Sequence, residues 1–192
     1  MRSLRFVLPG AAALLFALGL LFGADRVSGD LAEADGAHKT GTLALPGHTD
    51  NAWELQPIRL PDLDGTQRAL ADWSGKVLVL NFWASWCAPC QYEIPDFVAY
   101  QDEYAAQGLQ IVGVGLDEAR RLKNVARTLR INYPVMVIEE QAGASLMRQW
   151  GNDKGILPYT VVIDRSGRIR YIHRGRMDTY AFQQYVKPLL GS

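Results

Sequence analysis

At 192 residues the chain has room for one globular domain and one further segment. Lys plus Arg and Asp plus Glu each total 20, so the formal net charge is zero. No basic excess argues for nucleic acid, and no acidic tail appears.

Residues 1–23 read as a membrane anchor. Arg2 and Arg5 make a positive start, and Phe6 to Phe22 is free of charge and dense in Leu, Ala and Phe. That run is slightly short for a span but longer than an ordinary signal-peptide core. The small-x-small pattern Ala32-Glu-Ala34 lies far downstream. An uncleaved anchor is therefore expected, its Arg end cytoplasmic and the rest outside, with a cleaved signal peptide as the alternative. Either places the folded part in an oxidising compartment. No cysteine follows the apolar run, which excludes a lipid-modified N-terminal cysteine. Residues 24–52 are polar, rich in small residues and without period, and read as a flexible tether. His38 and His48 fall there as solvated histidines.

The domain is predicted over 53–192. Leu55 to Leu60 suits an edge strand, broken by Pro57 and Pro61. Asp62-Leu-Asp-Gly65 is a turn signal, and Leu70 to Gly75 leads into the central strand. Val77 to Trp83 is a short apolar run, as in a strand covered on both faces. A tight turn follows, then a helix whose Ile94, Phe97, Val98 and Tyr104 share an apolar face. Gly108 stops it. Leu109 to Leu116 is the next strand. Asp117 and Glu118 open a second helix, with Ala119, Leu122, Val125, Ala126 and Leu129 on its buried side. Val77 to Leu116 is thus a βαβ unit with parallel strands and a right-handed crossover. Tyr133 to Ile138 is a third strand and Ala142 to Trp150 a short helix. Thr160 to Asp164 and Arg168 to His173 form an antiparallel hairpin around Arg165-Ser-Gly167. Asp178 to Leu190 is a final amphipathic helix. The expected fold class is α/β, a mixed central sheet with helices on both faces, and active residues at the carboxyl ends of parallel strands.

Cys87 and Cys90, the two cysteines of the chain, sit where the first of these strands turns into its helix. At that spacing they share one face and lie close enough to bridge. A thiol attacks only as thiolate, and a helix N-terminus favours the thiolate through its partial positive charge and free N–H groups. Cys87, at the helix start, is expected to face solvent and attack. Cys90, almost a turn further in, is expected to be shielded and to resolve the mixed disulfide. Pro89 is tolerated in a first helical turn. A zinc site would need two more ligands, and neither a second Cys pair nor a His-x3-5-His exists. A static bridge across so short a loop would constrain little chain entropy. Redox exchange is the favoured chemistry, with the cysteine pair as the redox centre and no other cofactor or metal.

Asn81-Phe-Trp-Ala-Ser-Trp-Cys-Ala-Pro-Cys90 resembles the active-site signature of the thioredoxin superfamily. The anchor, Leu63-Asp-Gly65, Gly75-Lys-Val77, Cys90-x-x-Glu93-x-Pro95, Gly113-Val-Gly-Leu-Asp117, and Gly155-Ile-Leu-Pro158 before Thr160 to Asp164 are similar to its membrane-anchored TlpA/ResA-like branch. The likeness runs in order from Trp53 to Leu190. It implies a thioredoxin-like three-layer fold and thiol–disulfide exchange in the periplasm, on the inner membrane. It implies partner proteins carrying disulfides and a membrane-embedded dithiol electron donor. It implies a cis bond at Pro158, leaving Leu157 to pair with an extended substrate segment; a plain strand start is the other reading. Glu93 matches an acid of this branch that could move a proton to or from Cys90, or it is a first-turn acid favoured by the helix dipole. Asn81 stands where cytoplasmic thioredoxins carry a buried aspartate, and asparagine cannot titrate. Pro95 matches a helix-kinking proline. Trp86 is read as shaping the contact surface, or as packing. The chain departs from cytochrome-c-maturation members, which often carry Gly-x-x-Gly-x-Pro-Glu: here Tyr159 follows Pro158. A reductant of partner disulfides is expected. A thiol oxidase, or a copper module using the Cys pair with His173 or Met177, are the alternatives.

Overall fold

The computed structural model describes residues 58–191. The expected anchor, the tether, His38, His48, and the stretch from Trp53 to Pro57 lie outside the described residues. Among the described residues no helix is long and apolar enough to cross a membrane.

The expected βαβ unit is present. Strand β3 (Val77–Trp83) is buried along its whole length, as is β4 (Leu109–Leu116), and the two are parallel. Helix α1 (Ala88–Tyr104) joins them, and a short 3-10 turn ends at Gly108 with φ +92°, a conformation glycine adopts without penalty. Helix α2 (Ala119–Thr128) then leads to β5 (Val135–Ile138), parallel to β4. Two crossovers running the same way across the sheet place both helices on one face when they share one hand. Accordingly Ile94, Phe97 and Leu122 share a core with Val77, Val79, Leu109 and Ile111. Ala119 is exposed, against expectation, because the helix begins only there and its buried stripe starts at Leu122.

The connection from β5 returns through α3 (Glu140–Gln149) under the opposite face, where Met147 and Trp150 meet Leu80, Phe82, Val112 and Val114. β6 (Tyr159–Ile163) and β7 (Ile169–Arg174) form the expected antiparallel hairpin. β6 pairs with the other edge of β3, giving the order β5-β4-β3-β6-β7. No strand is predicted over Gln67–Ala69, yet β2 forms there and pairs with β1 (Arg59–Pro61). Asp62 makes that hairpin: its carboxylate accepts the N–H groups of Asp64 and Thr66 at 3.0 and 2.9 Å.

The single predicted C-terminal helix is two. Helix α4 (Thr179–Tyr185) is capped by Asp178, which accepts the Ala181 N–H at 2.9 Å, and α5 (Lys187–Leu190) follows. Pro188 explains the break at Val186, since its ring cannot continue the preceding helix but fits a first turn. Phe182 stacks on Tyr100 of α1 at 3.8 Å, so α4 rests on the helix that carries the cysteines. Arg165, in the β6–β7 turn, donates to Gln107 O and Leu190 O, both at 3.0 Å. Its guanidinium lies against Gly108, where a Cβ would come within 2.5 Å of Nη1.

Gly115 of β4 lets Leu122 close onto the sheet: a Cβ there would lie 2.6 Å from one Leu122 methyl and 2.7 Å from the other. Gly115→Ala is expected to lower stability by about 1–3 kcal/mol through overpacking, read as a lower urea midpoint at unchanged slope.

Candidate active site

Strand β3 ends at Trp83 and β6 begins at Tyr159, and the two strands are antiparallel neighbours. The loop after β3 and the loop before β6 therefore lie side by side at one end of the sheet's strands. The first holds Ser85, Trp86 and Cys87; the second holds Leu157 and Pro158.

Cys87 is the N-cap of α1, as the sequence predicts, and Pro89 sits in its first turn. Cys87 Sγ is bonded to Cys90 Sγ with the Cα atoms 5.3 Å apart, and it also accepts the Cys90 N–H at 3.4 Å. The sulfur thus faces the positive end of a long helix. One expectation is corrected here. Cys87 is only 5 % exposed, not open to solvent, because its sulfur is turned inward onto Cys90, which is fully buried. The order of shielding is as expected, with Cys90 the more covered.

The turn preceding Cys87 is fixed by polar contacts that sequence reasoning missed. Gln91 donates to Ser85 O at 2.6 Å, and the Ser85 hydroxyl donates to the Asp117 carboxylate. Asp117 stands just past the carboxyl end of β4 and is paired with Arg121 at 3.7 Å. Trp86 projects from this turn 59 % exposed, whereas Trp83 is fully buried. The packing role therefore belongs to Trp83, and Trp86 presents an open aromatic face.

The Leu157–Pro158 peptide bond is cis, as the resemblance implies. Pro158 O accepts the Gly175 N–H at 2.8 Å, while Leu157 makes no backbone hydrogen bond among the described residues. Leu157 packs against the apolar cluster that contains both cysteines.

Glu93 does not lie in the first turn of α1 and is not a dipole-favoured surface acid. It is fully buried on the same face as Cys90, one turn further along. Its Oε1 accepts from Asn81 Nδ2 at 2.7 Å and its Oε2 from the Met177 N–H at 2.9 Å. Burial pushes its carboxyl up to about 7; the N–H groups of Met177 and Asn81 and the charge of Arg176 oppose the rise without cancelling it, and Asp96 adds to it. Arg176 itself is paired with Asp96 at 3.2 Å. Burial also raises the Tyr133 hydroxyl, helped by the Glu93 charge. Asn81 donates a second bond to Thr160 Oγ1 at 3.0 Å. The sequence signal for this network was one polar residue inside each of two apolar strands.

His173 uses both ring nitrogens, Nε2 on Arg176 O at 2.8 Å and Nδ1 on the Tyr171 hydroxyl at 3.2 Å. Met177 is buried in the apolar cluster beside the cysteines. Among the described residues no group of three or more His, Cys, Asp or Glu side chains is placed to hold a metal ion.

The AhpC/TSA family model matches residues 53–172. The chain belongs to the AhpC/TSA family. Its relatives within this thioredoxin-like family include the thiol-disulfide oxidoreductase ResA of Geobacillus thermodenitrificans, 29 % identical over 131 residues, spanning 68 % of this chain and 72 % of the relative. The thioredoxin-like protein YneN of Bacillus subtilis is 31 % identical over 131 residues, 65 % of this chain and 72 % of its own length. Among solved structures, a thioredoxin-family thiol:disulfide interchange protein from Chlorobium tepidum superposes with a TM-score of 0.63 at 32 % identity, covering 75 % of this chain and all of that one. This AhpC/TSA member is a thiol–disulfide oxidoreductase with a CxxC dithiol centre.

The raised Glu93 carboxyl makes stability depend on pH. The folded acid keeps its proton up to about 7, while the ordinary value is 4.5. Folding therefore takes up a proton between those values, and the stability it contributes falls as pH rises through that window, by about 3 kcal/mol in all. Glu93→Gln is expected to abolish this slope. Urea unfolding of both proteins from pH 4 to 8 measures it; parallel curves would show that Glu93 titrates normally.

Proposed function

We propose that this chain is an extracytoplasmic reductant of disulfides in partner proteins, held at the inner membrane by residues 1–23 and recharged by a membrane-embedded dithiol donor. The charge and apolar pattern of that segment supports the location, and the likeness to the ResA-like branch supports the direction. The observation that carries the chemistry is a reactive pair at a helix start with a buried, proton-holding carboxyl on the same helix face as the inner cysteine.

Exchange begins with both cysteines as thiols. The Cys87 thiolate attacks one sulfur of a partner disulfide, forming a mixed disulfide and releasing the other partner sulfur as a thiolate that takes a proton. Cys90 then loses its proton to Glu93 and attacks Cys87 Sγ. The Cys87–Cys90 bridge forms, and the second partner thiolate leaves with the proton that Glu93 had taken. Two electrons and two protons pass to the partner. A group that changes protonation near 7 is matched to this exchange at neutral pH. Trp86 provides the aromatic contact surface for the partner. Leu157, with its backbone unpaired, accepts an extended partner segment beside the cis Pro158, as a strand added at an edge.

Cys90→Ala should hold a partner on Cys87 as a stable adduct, recovered from cells on non-reducing gels. An adduct on Cys87→Ala but not on Cys90→Ala would reverse the two roles. Alkylation in intact cells should find the pair mostly as thiols; a pair found bridged would favour an oxidase instead. Glu93→Gln should slow resolution of a preformed mixed disulfide about 100-fold at neutral pH and converge on the wild type in alkali. Equal rates at every pH would reduce Glu93 to a structural acid.

A further inference from the structure

The carboxylate of Glu93 is buried without a cation in contact. Its two hydrogen-bond partners are neutral N–H groups, those of Asn81 and Met177. The other ionisable groups around it are Cys90 on its own helix, the Arg176–Asp96 pair and Tyr133, and none of these donates to it. The Tyr133 hydroxyl, though buried, has no partner.

Two neutral donors suit the ionised acid. The protonated acid has a different need: its O–H requires an acceptor. Asn81 carries one. Its Oδ1 is buried and unpartnered, while its Nδ2 serves both Glu93 and Thr160. A carboxamide has arms of nearly equal shape and opposite hydrogen-bonding sense. Turned by half a rotation, it would offer the oxygen to Glu93 O–H. Thr160 tolerates either arm, because a hydroxyl accepts from an amide N–H or donates to an amide oxygen. Thr160 is also rigidly placed, since it is the direct register partner of Asn81 across β3 and β6 and is fully buried. An aspartate at position 81 would set a second negative charge against Glu93. A leucine would serve neither state.

We propose that Asn81, backed by Thr160, is a positioning residue whose carboxamide turns to serve Glu93 as carboxylate or as carboxylic acid, and so sets the pH at which Cys90 can be deprotonated. The proposal rests on Glu93 being the proton partner of Cys90. In the step concerned, the Cys90 thiol proton passes to a Glu93 oxygen, leaving a thiolate and a neutral acid. The turned amide then holds that acid until its proton passes to the departing partner thiolate.

The test uses the full chain with 13C-labelled glutamate. Glu93 is followed by carboxyl NMR, its signal assigned by its loss in Glu93→Gln, and the resolution rate is measured against pH in the same samples. Asn81→Leu removes a charge-assisted bond to the carboxylate and a weaker neutral bond to the acid, so the Glu93 midpoint should rise by the difference, about one pH unit or a 10-fold gain in proton affinity. The rate profile should move with it. Asn81→Asp keeps a polar residue of the same size and covers the case in which the leucine variant does not fold. There the titration should split into two steps, as for paired carboxylates. An unmoved, single-step Glu93 titration in either folded variant overturns the proposal, even where Glu93→Gln has altered the rate. A rate profile indifferent to Glu93→Gln overturns the reading of Glu93 beneath it.

Discussion

One carboxyl group, Glu93, is enclosed in a largely apolar layer in which Val, Ile, Leu and Phe side chains stand beside Trp83, Cys90, Tyr133 and Met177, with two amide N–H groups as its partners. Burying such a group is expensive in its ionised form, and the expense appears as a proton held to near neutrality. Each neighbouring feature bears on that group. Asn81 must sit on the α1 face of β3, Thr160 must stand opposite on β6, and the chain must turn at Met177 so that its N–H points inward. The fold can be described as the set of constraints that brings three distant segments to one acid.

Topology does most of this work. Two crossovers of the same hand stack α1 and α2 on one face and leave α3 to cover the other. The active helix is thereby pressed onto the centre of the sheet, against β3, where burial is complete. Reversal of direction in β6 brings the start of that strand beside the end of β3, so the cis proline and the cysteines share one end of the sheet although far apart in sequence. The Ser85–Asp117 contact ties the same end to β4.

Much of this was legible in the residues. Apolar runs at 77–83 and 109–116 marked two strands, because a strand buried on both faces cannot alternate. The spacing of Cys87 and Cys90 before an amphipathic stretch marked the helix start. What was not legible depended on distance in space. Cys87 was expected in solvent, since a helix tip is usually open; nothing local shows that its sulfur turns inward onto its partner. Glu93 offered two readings because helix position alone does not report what packs above it. Asn81 was noted as a replacement for an acid, but its bond to Glu93 requires the register of β3 against α1. The division between α4 and α5 follows from Pro188, whose ring ends one helix and suits the first turn of the next.

The guanidinium of Arg165 reaches two carbonyls at once, one beyond the end of α1 and one at the end of α5, with Gly108 making room for it. It acts as a staple between α5 and the far end of the reactive helix. Anyone fusing a reporter beyond Leu190 therefore inherits a geometric obligation: a linker that pulls that carbonyl away loosens the rear of the helix whose front end carries the sulfurs.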